Sequence, residues 1–277
     1  MRDERLFPLF QAFNALPGIG PKLKPAFERV TGGETVWDLL LHLPERWLDR
    51  RPKDSFDALE PGEVATVHGE VHAVKAPYND KAPTRIELFD GSGFLVITYF
   101  RADPRWLQGQ YPIGEERIVS GKVDEYRGER QMSHPDYVLD PAKDERPPAV
   151  EPIYPLTAGL TNKRVHSAAQ AALELVPDDL PEWTDGALVA QKEWPGFKAA
   201  LTGLHAPPAF DPDQFELCKA RLAYDEALAR ELTFARARAA RSQRPAPAIP
   251  ANPDALNALV KTLPYRPTGA QIRATKE

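Results

Sequence analysis

The spacing of apolar residues along this chain changes from a helical period of about 3.6 to a period of 2 near residue 62, and returns to helical spacing near residue 160. Few folds accommodate that change. In residues 64–73, Ala65, Val67, Val71 and Ala73 share one face, while Thr66, His68, Glu70 and His72 share the other, the pattern of a half-buried strand. Thr84–Phe89 alternates likewise, and Asp90-Gly91-Ser92-Gly93 makes a hairpin turn into a third strand, 94–100. A short helical piece around Trp106 and Leu107 precedes a fourth strand, 118–123, and a turn at Arg127-Gly128 leads to a fifth near Arg130-Gln131-Met132. Five short strands with a helix between the third and fourth is the order of an OB barrel. The unit Val-x-Gly-x-Val occurs in strands one and four, at 67–71 and 119–123. Glycine inside a strand marks the bend or bulge that a small closed barrel needs.

The flanks read as helical. Residues 6–50 give an apolar start, a turn at Leu16-Pro17-Gly18-Ile19-Gly20-Pro21-Lys22, a second helix, and a third after Gly32-Gly33. Thr35 with Asp38 three residues on predicts a capping box for that third helix, whose packing face is Val36, Trp37, Leu39, Leu40 and Leu43. Residues 141–155 read as a proline-rich extended connector; from Thr161 a helix puts Val165, Ala169, Ala172 and Leu173 on one side. Residues 215–241 contain neither Pro nor Gly and predict a long helix with Leu217, Tyr224, Leu228, Leu232 and Ala235 as one apolar stripe. The expected fold class is α+β, divided into a helical region 1–52, a barrel 53–145, a connector 146–212 with short helices, and 213–277 carrying the long helix.

With 277 residues, 42% of them hydrophobic, the chain can bury a core in one or two domains, and its net charge of −5 argues against non-specific coating of nucleic acid. No apolar run approaches the roughly 18 residues that cross a bilayer. The start, MRDERLFPLF, lacks the features of a signal or transit peptide, so a cytoplasmic location is expected. The single cysteine, Cys218, excludes an internal disulfide and multi-cysteine metal sites and reads as a small buried helix residue. There is no G-x-x-x-x-G-K-[ST], G-x-S-x-G or H-E-x-x-H motif. No catalytic residue and no metal site is therefore expected in this stretch. His68 and His72, four apart on a strand, would lie about 13 Å apart and cannot share a metal as neighbours on a helix do.

The usual ligand of such a barrel is nucleic acid, held by aromatic stacking and basic side chains. Tyr99 and Phe100, followed by Arg101, point to opposite faces by strand alternation. If Leu95, Ile97 and Tyr99 line the barrel, Phe94 and Phe100 project outward; otherwise both of the adjacent aromatics belong to the core. Arg85, Lys122, Arg127 and Arg130, with Tyr126, lie on polar strand positions or in the last turn and could follow a phosphate backbone, and each alone is more often a solvated charge. The turn carrying Gly18, Ile19, Gly20 and Lys22 is similar to the phosphate-binding hairpin of helix-hairpin-helix modules, or is a tight turn that needs glycine. Arg236, Arg238 and Arg241 sit where a helix dipole favours cations, which explains them as well as DNA does.

A series of motifs in order resembles one family. Leu16-Pro17-Gly18-Ile19-Gly20, Asp38-Leu39-Leu40-Leu41-His42-Leu43-Pro44-Glu45-Arg46, Asp49-Arg50-Arg51, Asp90-Gly91-Ser92-Gly93, Tyr99-Phe100, His134-Pro135-Asp136-Tyr137, Pro152-Ile153-Tyr154-Pro155-Leu156-Thr157, Leu204-His205-Ala206-Pro207, Arg221-Leu222-Ala223-Tyr224-Asp225-Glu226 and Leu263-Pro264-Tyr265-Arg266-Pro267-Thr268-Gly269-Ala270-Gln271 together resemble the amino-terminal region of the bacterial ATP-dependent DNA helicase RecG family. The resemblance implies that the barrel is a wedge that splits strands at a DNA branch, with Tyr99 and Phe100 at the position of the wedge aromatics. It implies that Gln271 faces the ATP adenine, and that ATP and Mg2+ serve a motor following this stretch, which ends before any Walker A lysine. The fragment alone is expected to lack ATPase activity and to need no cofactor. Expected partners are replication forks and Holliday junctions, the chain's own motor and the single-stranded-DNA-binding protein, for a monomer associated with the nucleoid. The alternative is a non-catalytic OB module binding single-stranded DNA or the acidic tail of the single-stranded-DNA-binding protein.

Overall fold

The structure is a computed structural model that describes residues 3–79, 82–242 and 252–276. Two 3-10 segments, Glu4–Phe10 and Phe13–Ala15, open the chain, followed by α1 (Lys24–Thr31), α2 (Val36–Leu40) and β1 (Arg46–Asp49). The barrel strands are β2 (Val64–Lys75), β3 (Thr84–Phe89), β4 (Phe94–Tyr99), β5 (Glu116–Tyr126) and β6 (Glu129–Ser133), with α3 (Pro104–Gln110) between β4 and β5. Then come β7 (Tyr137–Leu139), β8 (Val150–Ile153), α4 (Asn162–Leu173), α5 (Gly186–Lys192), α6 (Phe197–His205) and α7 (Pro212–Ser242). Residues up to Glu226 form one compact unit; the second begins at Ala227 and contains α8 (Pro253–Thr262) and α9 (Gly269–Lys276).

The barrel closes in the expected order. β2 pairs antiparallel with β3, β3 with β4 and β5 with β6, β4 runs parallel to β6, and β2 returns to β5. β7 adds a sixth strand on β5. Ile86, Leu88, Leu95, Ile97, Val119, Val123 and Met132 fill the interior. The two strand glycines have a packing reason as well as a bending one. A Cβ on Gly69 would lie 2.6 Å from the Phe56 ring, and one on Gly121 would lie 3.0 Å from the Pro135 Cα. β2 passes from β5 to β3 just after Gly69 and carries a bulge at 71–73.

A second core combines residues from both sides of the barrel, including Leu9, Phe27, Leu39 and Trp47 with Val165, Ala169, Leu201 and Leu222. The expected capping box of α2 is present: Asp38 N–H donates to Thr35 Oγ1 and Thr35 N–H to Asp38 Oδ2 at 2.9 Å. The first expected helix is a 3-10 segment instead, with Pro8 inside it. Part of the proline-rich connector is a strand, because β8 pairs with β1 and accommodates Pro152 opposite Trp47. The buried stripe of α7 is also rotated from the expected one. Phe215, Cys218, Arg221, Leu222 and Asp225 face inward, while Leu232 is exposed. Arg221 is drawn in by a two-pronged bond to Glu182, both contacts 2.8 Å, and by Asp225 Oδ2 at 2.9 Å, and Trp183 Nε1 donates to Asp225. The Arg221 guanidinium holds the Glu182 carboxyl below its usual range.

Two buried polar centres tie these parts together. Arg50, 3% exposed, bonds Glu151 on β8 through Nε, Ser120 on β5 at 2.9 Å and Asp136 at 2.9 Å, and lies over the Tyr137 ring. Thr66 is buried on what was read as the polar face of β2 because its hydroxyl joins this network through Ser120. Tyr154 lies between the imidazoles of His42 and His205. The Leu40 carbonyl only accepts, so His205 Nε2 carries the proton and Nδ1 accepts from the Tyr154 hydroxyl, each at 2.9 Å. Burial lowers the His205 pKa to about 4.

Arg50→Ala leaves Glu151 buried without its cation, and urea melts should show a loss of about 3–5 kcal/mol; Arg50→Lys should not restore it, because one ammonium cannot serve three separated acceptors. His205 gives a second expectation. The unfolded chain takes a proton on this group near pH 6.5 and the folded protein only near pH 4. The unfolded state therefore binds more protons between those values, and stability falls as pH falls through that window, by on the order of 3 kcal/mol. Melts from pH 7 to pH 4 check this, and a flat profile would contradict it.

Candidate nucleic-acid interface

β4 carries the alternation on which the interface depends. Leu95, Ile97 and Tyr99 point into the barrel, and Phe94 and Phe100 point out. Tyr99 is 5% exposed, its hydroxyl 3.0 Å from that of Tyr111, and burial raises its phenol pKa. Its ring makes edge contacts with Trp106 at 5.7 Å and His134 at 5.1 Å, so it supports the surface around it from below. Of the adjacent aromatic pair, Phe100 is the one at the surface, 50% exposed.

Phe100 is braced. Its N–H donates to His134 Nε2 at 3.1 Å, and the two rings stack with centroids 6.1 Å apart and planes 24° from parallel. His134 reaches that position with a left-handed backbone, φ 49°, while its own N–H donates to the Thr98 carbonyl at 3.0 Å. Arg101 is also left-handed, φ 56°, which turns the chain sharply after Phe100. Asp103 caps α3 by accepting from the N–H groups of Arg105 and Trp106, leaving the Trp106 indole half exposed. Neither Arg101 nor Arg105 makes an ion pair among the described residues. One end of the barrel thus presents Phe100, His134 and Trp106 beside two available guanidinium groups.

The other sequence candidates lie elsewhere. Phe94 is exposed at the opposite end of β4, 4.9 Å from Phe89 and 5.4 Å from His72, beside a groove of about 570 Å3 that Asp57, Glu87, Glu125, Glu129 and Arg130 also line. Arg85 pairs with Glu129 at 2.6 Å and Lys122 with Asp124 at 3.7 Å, while Arg130 donates to the carbonyls of Leu59 and Asp57. Arg127, left-handed at the β5–β6 turn, lies over the Tyr126 ring at 5.2 Å. In the amino-terminal turn Gly18 has φ 78°, Gly20 and Lys22 are exposed, and Ile19 is buried in the core. The segment before that turn is a three-residue 3-10 helix, so the first α-helix of a helix-hairpin-helix is not there. His68 faces Glu116 rather than His72. Cys218 is buried, and burial raises its thiol pKa.

Gln271 and Thr268 form the capping box of α9, with Thr268 N–H donating to Gln271 Oε1 at 2.8 Å. Among the described residues no cluster of three carboxylate, histidine or cysteine side chains is arranged to hold a metal ion, and no helix is long and apolar enough to cross a membrane. Gln271, which the resemblance places against the ATP adenine, is engaged here as part of a helix cap. Sequence reasoning did not single out Trp106, His134 and Arg105 as members of this candidate surface. For Arg105 and Trp106 the signal was the pair Asp103-Pro104, a helix start that fixes the two residues after it at a barrel end.

The closed barrel and its aromatic, basic end define an OB-fold protein. The chain belongs to the RecG wedge domain family, whose family model matches residues 16–176. The ATP-dependent DNA helicase RecG of Escherichia coli (strain K12) is 29% identical over 277 residues, covering 95% of this chain and 39% of that protein. The protein of the same name from Aquifex aeolicus (strain VF5) is 26% identical, covering 90% and 33%. A solved structure of RecG bound to a three-way DNA junction superimposes with a TM-score of 0.62 at 25% identity, over 97% of this chain and 37% of that one. The chain thus spans little more than a third of the length of the relatives it matches.

If His134 holds Phe100 through its Nε2, removing that acceptor frees the Phe100 amide. Hydrogen exchange of this amide should quicken by about tenfold in His134→Ala and remain close to wild type in His134→Gln, whose carbonyl oxygen can take the place of Nε2.

Proposed function

We propose that this chain recognises branched DNA, at forks and Holliday junctions, and acts as the strand-separating wedge of an ATP-dependent DNA helicase in recombination and repair. The observation that carries the reading is the braced Phe100 ring at the barrel end, beside Arg101, Arg105 and Trp106. A flat apolar surface of this kind can cover the last base pair before a branch, and its neighbouring cations can take the phosphates on either side. Buried Tyr99 and hydrogen-bonded His134 keep the surface rigid, so that base pairs pushed against it part instead of displacing it. Arg127 and Tyr126 at the β5–β6 turn, and the turn at Gly18, Ile19, Gly20 and Lys22, extend the proposal as outlying phosphate contacts. Arg85, Lys122 and Arg130 contribute less, because each is already engaged by an acceptor of the protein.

In this reading the wedge works with a motor that hydrolyses ATP with Mg2+ in the longer protein, and Gln271 approaches the adenine there. The E. coli relative is an ATP-dependent helicase by name, and the solved relative is bound to a three-way junction, which supports the assignment. A second reading places single-stranded DNA or the acidic tail of the single-stranded-DNA-binding protein in the Phe94 groove. The exposed Phe94 ring favours an occupant there, and Asp57, Glu87, Glu125 and Glu129 oppose one that carries negative charge.

The test is competition between a fluorescent three-way fork and matched duplex. Phe100→Ala should lower fork affinity by about tenfold and leave duplex affinity unchanged, as loss of one stacked base contact requires. Phe94→Ala should leave both unchanged, and the reverse pattern would move the interface to the groove.

A further inference from the structure

Next to the wedge surface is a pocket to which nothing above assigns an occupant. It has a volume of about 360 Å3, and Pro77, Tyr78, Tyr99 and Arg101 are among the residues that line it. That volume is at the lower end of the range for small-molecule sites and is too small for a base pair. Its walls differ in chemistry in a useful way. Tyr78 presents a ring that is 90% exposed, and Pro77 adds an apolar surface beside it. Arg101 also lines the pocket, and it makes no ion pair among the described residues.

The backbone explains why Arg101 faces this pocket while its neighbour does not. Phe100 is held on the other side by His134, and the left-handed conformation at Arg101 reverses the chain so that successive side chains serve two different surfaces. An arginine in that conformation is uncommon, because the region favours glycine, asparagine or aspartate. At this position it places a cation one residue from the ring that meets the branch.

We propose that this pocket holds one unpaired nucleotide of a strand separated at Phe100, with its base against Tyr78 and its phosphate on Arg101. The inference rests on the wedge reading and adds to it a destination for the strand once it is split. A ring for the base, a cation for the phosphate and room for only one nucleotide suit a strand leaving the branch. Holding that nucleotide keeps the separated bases from re-pairing behind the wedge.

Photocrosslinking tests the two readings separately. A three-way fork carries 5-iododeoxyuridine at one unpaired position at a time, is bound to this chain and irradiated, and the crosslinked peptide is mapped. The expected result is a crosslink to Tyr78 from a single position next to the branch, lost in Tyr78→Ala and reduced about tenfold in Arg101→Gln. Tyr78 is so exposed that its truncation should not disturb folding. Crosslinks to Phe100 or Trp106 with none to Tyr78 from any position would overturn the pocket and leave the wedge standing. A fork that fails to bind, or that binds without crosslinking to the barrel end at all, would overturn both.

Discussion

A buried guanidinium holds this structure together. Arg50 leaves β1 and meets acceptors on β8, on β5 and in the segment leading into β7, so the two-stranded sheet of the helical core and the barrel share one polar centre. Glu151 also accepts from Tyr137 and Asn162, and Ser120 from Thr66, so each polar group in the centre has its partner. Only arginine combines a fixed charge with five donors in a rigid plane, the geometry that three separated acceptors require. The consequence reaches the barrel end. Asp136, bonded to Arg50, is two residues from His134, and Pro135 between them packs on Gly121 so closely that a Cβ there would lie 3.0 Å from the Pro135 Cα. The loop that positions His134 is therefore anchored at the joint, and Phe100 is anchored by His134.

This arrangement gives the barrel two unlike surfaces. At the far end of β4, Phe94, backed by Phe89, and His72 border a groove whose carboxylates outnumber its cations. At the near end Arg101 and Arg105 make no ion pair among the described residues, and the Trp106 and His134 rings are braced from beneath by Tyr99. The difference is electrostatic before it is steric, since a phosphate backbone approaching the groove meets Asp57 and Glu125, while at the near end it meets Arg101 and Arg105. The fold allows either surface to bind, and the distribution of charge favours one.

The barrel was legible because its information is local. Period-2 alternation, the turn at Asp90-Gly91-Ser92-Gly93 and two strand glycines were enough to order five strands, and Thr35 with Asp38 was enough to place a cap. Alternation made the outward direction of Phe100 conditional on Tyr99 lining the barrel, and buried Tyr99 meets that condition. What could not be read depends on partners distant in sequence. β1 and β8 exist because they pair with each other across about a hundred residues, and neither is long enough to show a period. Arg221 and Asp225 turn inward because Glu182 and Trp183 meet them, so a reading of hydrophobic residues alone placed the α7 stripe on the wrong side. His134 is joined to Phe100 through one bond to a backbone amide, which no pattern of residue types encodes.

The most direct test of the account is a hydrogen-exchange footprint of the chain with and without a three-way fork, with matched duplex as the control. The account predicts fork-specific protection confined to the end of β4, the start of α3 and the segment around His134, with the Phe94 groove unchanged. Protection along the groove, at residues 57–61 and 125–130, with the Phe100 end left open, would contradict it.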